Sequence, residues 1–343
     1  MQALRFAAAL AVVVLHSCFY VQEALGVPAP NLRVFGEAGV WLFFAISGFV
    51  MVLVTDRQPR PSPRRFLAAR IARVVPLAWL MTSVAVALGA LGLNLNHAES
   101  PAVLRIVASY LFLPTESPSG LIQPVWNVGW TLVFEIAFYL LVTFALTVRV
   151  DPLTFCTPVL LLAAGAAAFR PPGGSVWWFY ADPAVLCFLL GMVTARFAVR
   201  RWTLRHIAVT TGLTAVVVAT TAPEGTSAAL LSGCTFATIA VILWLAIVHE
   251  DRIGPLLPRW LVRGGDTSYA LYLTHPLVGT AFVAGLGIVG GSSLPMPVLV
   301  LTTVAVAVVC APLVHRWVDR PLVATARRVL EVRRRAVTRV AAP

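Results

Sequence analysis

The sequence predicts an all-α, polytopic membrane protein: a helical bundle of about ten transmembrane helices, plus one short re-entrant or interfacial helix. Three observations carry this. Hydrophobic residues make up 59% of the 343 residues and charged residues only 12%, about half the charge of a soluble domain, and the mean hydropathy is +0.87. The apolar residues come in runs near the roughly 20 residues that a bilayer requires. The 26 basic residues, every one an arginine, fall mostly in the short connections on one side of the membrane.

Apolar runs at 4–21, 36–54, 74–93, 125–147, 153–169, 183–199, 206–222, 228–248, 268–289 and 297–317 are each read as a span. No small-residue cleavage site follows the first, which is expected to be a retained signal-anchor. The connection 55–73 carries Arg57, Arg60, Arg64, Arg65, Arg70 and Arg73, and the positive-inside rule makes it cytoplasmic. The N-terminus is then cytoplasmic as well. Alternation puts Arg149, then Arg196, Arg200, Arg201 and Arg205, then Arg252, Arg259 and Arg263, and finally the C-terminal arginines inside. Twenty-three of the 26 agree; Arg33, Arg105 and Arg170 fall outside. The run 102–114 is too short to span, and counting it would move the basic tail across the membrane. It is read as the re-entrant or interfacial helix of an outer segment, 94–124.

Trp177-Trp178-Phe179-Tyr180 reads as an interfacial aromatic belt, with a sugar-stacking platform as the other reading. Residues 1–322 are expected to form the membrane domain. Residues 323–343, with Arg327, Arg328, Arg333, Arg334, Arg335 and Arg339, form a basic cytoplasmic tail, expected as a helix on the inner leaflet. The net charge of +12 thus serves topology and the lipid bilayer, and no nucleic-acid partner is expected. Cys18, Cys156, Cys187, Cys234 and Cys310 stand singly in apolar stretches, as small hydrophobes; no disulfide framework and no metal site is expected. The absence of lysine fits a GC-rich bacterial genome, hence a bacterial cytoplasmic membrane.

Polar residues inside spans need partners or a wet cavity and mark functional sites. In the first run, Arg5 and His16 share a helical face about 16 Å apart. Arg5 reads either as a topology-setting cation or as part of a site, and His16 as a site residue or an interhelical hydrogen bond. Arg70 and Arg73, at i and i+3, point the same way from the mouth of the third span, a spacing suited to phosphates. Asn127, Thr131, Glu135 and Tyr139 recur every four residues, one polar stripe on the fourth span. Ser268, Tyr272 and His275 share a face of the ninth, where Pro276 removes a backbone bond. Ser47-Gly48 offers a notch for helix packing or for a narrow ligand passage.

In order and spacing these groups resemble the acyltransferase-3 family of integral membrane O-acyltransferases. The matching marks are Arg5/His16, Gly39 to Phe49, Arg70/Arg73 with Pro76 and Trp79, Trp130 to Tyr139, Ser268 to His275, and Asp319-Arg320-Pro321. They cover roughly 3–322. Gly129-Trp130-Thr131 and Ser47 to Met51 look like the exopolysaccharide (succinoglycan-type) acetyltransferase branch. Trp41 and Cys187 depart from it, each standing where an acidic residue is frequent.

The resemblance implies acetyl transfer from acetyl-CoA to a hydroxyl of a sugar or glycan acceptor, free or lipid-linked, alongside polysaccharide-synthesis machinery. Under it, His16 and Glu135 are the catalytic candidates, His16 as general base or transient acetyl carrier. Arg5, Arg70, Arg73, Ser47 and Gly48 are the donor-binding candidates. Trp130, Tyr139, Tyr272 and His275 are the acceptor-binding candidates. The competing reading is a transporter or flippase for a glycan or glycolipid, because intramembrane charges also line substrate paths.

Overall fold

The computed structural model describes residues 1–57, 61–93, 102–171, 173–198, 204–221, 225–290 and 293–340. Arg60, Arg200 and Arg201 lie outside the described residues, as do the side chains of Arg205, Arg333, Arg334, Arg335 and Arg339. In chain order the helices are α1 (Gln2–Leu25), α2 (Arg33–Asp56), α3 (Pro63–Ala90), α4 (Val103–Tyr110) and α5 (Trp130–Thr147). Next come α6 (Pro152–Ala166), α7 (Leu186–Ala198), α8 (Leu204–Thr221), α9 (Thr226–Val248) and α10 (Glu250–Ile253). The chain ends with α11 (Arg259–Ile288), α12 (Met296–Val314) and α13 (Arg320–Val340). The described residues contain no strand beyond an isolated bridge between Glu116 and Ile122.

Among the described residues eight helical stretches are long and apolar enough to cross a membrane: α1, α2, α3, α5 with the turn before it, α6 with the turn after it, α9, α11, and α12 with its continuation. The expected spans at 183–199 and 206–222 coincide with shorter apolar helices, 183–197 and 208–221. The run 102–114 contains only α4, of eight residues. It stops where Leu113 N–H reaches back to the Ala108 carbonyl (2.9 Å) and Phe112 turns left-handed (φ 54°), a helix-ending turn normally given to glycine.

Helix directions agree with leaving α4 out of the count. Gly265 packs on Gln2, His16 on His275, and Gly279 on Tyr20, so α1 and α11 run parallel, as first and ninth spans must. Phe44 stacks on Phe188 at 4.4 Å and Asp56 faces Arg196 at 3.6 Å, so α2 and α7 are parallel too, as second and sixth.

Close backbone approach makes both pairs possible. A Cβ at Gly48 would sit 2.0 Å from the Phe188 carbonyl oxygen, and one at Gly191 would sit 1.8 Å from that of Ala45. Only glycine lets α2 and α7 touch here, the small-residue packing by which membrane helices associate. Around this contact Phe44, Phe134, Phe138 and Phe188 form the aromatic centre of the core.

At the C-terminal end, α12 passes through one π-helical turn, His315–Asp319, directly into α13. The expected basic helix is therefore present, and it continues the last span and packs against α3.

Candidate functional site

The polar residues of the spans collect in two places along α1. The first surrounds Arg5. A cavity of about 300 Å³ opens there between α1, α2, α3, α5, α11 and α13, lined among others by Arg5, Ser47, Arg70, Arg73, Glu135 and Tyr139. Of the stripe on α5, Thr131, Glu135 and Tyr139 line the cavity. Asn127 does not, because α5 begins only at Trp130 and Asn127 belongs to the 3-10 turn before it. Its side chain there accepts from Val128 N–H at 2.7 Å.

Ser47 donates to Glu135 Oε1 at 2.7 Å, and the Tyr139 hydroxyl donates to the same oxygen. The carboxylate of Glu135 thus ties α2 to α5 and sits among arginines, not beside an imidazole. Gly48, one residue on from Ser47, faces α7 through the Phe188 contact. It belongs to helix packing, the first of the two readings of that notch. Trp130 is partly buried and packs edge-on against Phe134 at 6.1 Å, apart from the residues that line the cavity.

The arginines differ in their partners. Arg73 Nη1 meets both oxygens of Asp319, at 2.9 and 3.2 Å, and its guanidinium lies 4.9 Å over the Tyr269 ring. Asp319 is fully buried and takes a further bond from His315 Nδ1 (2.8 Å). Arg320 Nε donates to His315 Nε2 (3.1 Å), so the proton of His315 stands on Nδ1. This network, seated in the π-turn, holds Arg73 in place. Arg70 rests 5.7 Å over the Phe66 ring, and its buried Nε has no hydrogen-bond partner. Among the described residues neither Arg5 nor Arg70 has a salt-bridge partner. A donor buried without a partner is costly, and both arginines line a cavity with room for an anion.

The second place is His16. Its Nδ1 stands 2.7 Å from Nε2 of His275, and the two rings stack at 5.0 Å. Proline explains the tautomers. Pro276 has no N–H, so the Tyr272 carbonyl four residues earlier loses its helical donor. His275 Nδ1 takes that donor's place at 2.7 Å. A carbonyl only accepts, so Nδ1 of a neutral His275 carries the proton and Nε2 carries the lone pair. His16 Nδ1–H then donates to it, which leaves the lone pair of His16 on Nε2. Helix α11 continues as helix through Pro276; the missing bond is answered by a side chain.

Between the two places stands Tyr272. It lines the cavity along with Phe43 and Thr131, and its ring lies 6.1 Å from His275 and 5.6 Å from Phe43. Its hydroxyl donates to the Val128 carbonyl (2.9 Å) and meets Thr131 Oγ1 (2.9 Å). Among the described residues no cluster of three or more His, Cys, Asp or Glu could hold a metal ion.

Arg5, Ser47, Glu135 and Tyr139, expected as polar groups in spans, and Arg70 and Arg73, expected at the mouth of the third, all stand around one cavity. Tyr139 and Tyr272, both expected with the acceptor, line this cavity together with the arginines. Phe43, Tyr269 and Arg327, not among the candidates from sequence, also line the cavity. The two aromatics carry no signal in an apolar run, and Arg327 none in a run of arginines.

A family model described as an acyltransferase domain (Acyl_transf_3) matches residues 1–316, ending before α13. The chain is 32% identical over 302 residues to the exopolysaccharide production protein ExoZ of Rhizobium meliloti (strain 1021), covering 85% of this chain and 91% of that one. It is 28% identical over 362 residues to the acyltransferase MdmB of Streptomyces mycarofaciens, covering 93% and 89%. No solved structure gives a significant match. With six spaced polar groups gathered around one cavity, and a match over nearly its whole length, the chain belongs to the Acyl_transf_3 family of membrane acyltransferases.

Proposed function

We propose that the protein transfers an acetyl group from cytoplasmic acetyl-CoA to a hydroxyl of a sugar or glycan, of the exopolysaccharide or cell-surface kind, at the bacterial cytoplasmic membrane. The observation that carries this is the arrangement along α1. One end of the helix brings Arg5 to a cavity where Arg70 also lacks a salt-bridge partner while Arg73 is held by Asp319, and eleven residues on His16 holds a lone pair on a defined nitrogen. The first suits the phosphates of a nucleotide donor; the second suits the removal of a hydroxyl proton. The name of the Rhizobium relative supports the choice of a polysaccharide acceptor.

In this reading Arg5 and Arg70 bind donor phosphates, with Arg73 held by Asp319 beside them. Glu135 fixes Ser47 and Tyr139 in the cavity wall. The acceptor hydroxyl gives its proton to Nε2 of His16 while its oxygen attacks the thioester carbonyl. The carbon–sulfur bond breaks, and the proton passes from His16 to the departing thiolate. His275 orients His16 and accepts from it. The carrier variant uses the same lone pair to attack the thioester first, forming an acetyl-imidazole that the acceptor then resolves; trapping that adduct distinguishes the two.

The test is turnover by the purified protein in detergent, with radiolabelled acetyl-CoA and an exopolysaccharide acceptor. Wild type is expected to release CoA and label the glycan, and His16→Ala, purified in equal yield, to do neither. Glycan movement without donor consumption would favour the transporter reading. A His16→Ala protein at wild-type rate would end the assignment of His16.

A further inference from the structure

We propose that Arg327, on the C-terminal helix, binds the 3′-phosphate of the donor nucleotide, so that α13 completes the donor site. The inference rests on the acyl-CoA reading above and adds a residue that lies beyond the matched domain.

Four features lead to it. Arg327 lines the same cavity as Arg5, Arg70 and Arg73, although it lies 257 residues beyond Arg70 in the chain. The placement of α13 is held at its start, where buried Asp319 binds Arg73 and His315, and by packing on α3. Its partly buried residues are Leu322, Val323, Ala326 and Leu330, a stripe at helical spacing. Arg327 follows Val323 by four positions, on the flank of that stripe, about 12 Å along the helix from Asp319.

Charge and depth then choose the phosphate. Arg5, Arg70 and Arg73 share their surroundings with two carboxylates, Glu135 and Asp319, so the inner cavity has little cationic excess. A ribose 3′-phosphate alone brings about −1.5 to −2 charges at neutral pH. Arg327 is solvent-exposed, whereas the other three arginines are partly buried, so it stands at the mouth. A CoA thioester that reaches toward His16 leaves its phosphorylated ribose at that mouth, with the diphosphate deeper.

The experiment is competition binding of CoA and 3′-dephospho-CoA to the full-length protein in detergent. It compares wild type, Arg327→Ala, Arg327→Lys and the exposed neighbour Arg328→Ala. Wild type is expected to prefer CoA about tenfold. Arg327→Ala should lose that preference by weakening CoA alone, Arg327→Lys should recover part of it, and Arg328→Ala should match wild type. An Arg327→Ala protein that still discriminates as wild type does, or weakens both ligands equally, would overturn the inference. A wild-type protein that binds neither ligand would overturn the acyl-CoA reading itself, an outcome read from the wild-type arm alone.

Discussion

The two polar places on α1 solve one problem in opposite ways. Around Arg5 the chain leaves space: about 300 Å³, with charges facing one another across it and guanidinium groups only partly paired. Around His16 it leaves none of that freedom: two imidazoles stack, and each proton is assigned by the next acceptor along. An ionisable group within a membrane survives either by facing a polar cavity or by finding a fixed partner. In the proposed function this contrast becomes a division of labour, in which the cavity would receive charge from outside and the histidine pair would handle a proton without rearrangement.

The sharpest way to break the comparison is His16→Ala. If the pair is chemical and the cavity is for binding, kcat should fall by about 10²–10⁴, while CoA affinity by calorimetry stays within about twofold. A parallel loss of donor affinity would merge the two places into one. Arg70→Ala is the reverse experiment. Hydrogen bonds to a charged group contribute about 1.5–3 kcal/mol, so CoA should bind roughly 10- to 100-fold more weakly, with turnover at saturating donor little changed. A fall in kcat with CoA affinity intact would place Arg70 in the chemistry.

Pro276→Ala tests the tautomer argument with a smaller effect. It restores a backbone N–H that competes with His275 Nδ1 for the Tyr272 carbonyl. Loss of one such bond is worth about 1 kcal/mol, so turnover should fall about fivefold with donor binding intact. The nitrogen shifts of labelled histidine should show His16 and His275 leaving their single tautomers. Unchanged shifts would mean that the carbonyl does not set them.

How much of this was legible depended on distance in the chain. The pairs inside one helix were readable, because spacing alone puts Arg5 and His16, Arg70 and Arg73, or Glu135 and Tyr139 on common faces. Both histidines stood out singly, yet their contact spans 259 positions and depends on the parallel packing of α1 on α11, which no local pattern announces. The notch at Ser47-Gly48 illustrates the limit at a single residue. The hydroxyl turns to Glu135 and the glycine to the Phe188 backbone, so the two neighbours serve different helices. The stripe on α5 lost its first member because the helix starts three residues later than the period suggested. The α12–α13 junction was hidden because a π-turn keeps the chain helical where a tail was expected to separate.

The residue between the two places supplies the finest test. If the ring of Tyr272 narrows the way from the cavity to the histidines, admitting the thioester but not bulk water, Tyr272→Phe keeps that limit. That variant loses only the hydroxyl bonds to Val128 and Thr131, a loss that averages about 0.6 kcal/mol for such bonds in membranes. Acetyl transfer should then change by less than about threefold, with a slightly lower melting temperature in detergent. Tyr272→Ala removes the ring itself and widens the way between the polar cavity and the histidine pair. Water then reaches a base meant for the acceptor hydroxyl, and acetyl-CoA should be hydrolysed without acceptor. The two variants therefore separate hydroxyl from ring: hydrolysis in the alanine protein alone identifies a steric wall, whereas equal hydrolysis in both would assign the barrier to the hydroxyl bonds that pin Tyr272 to α5 and the turn before it.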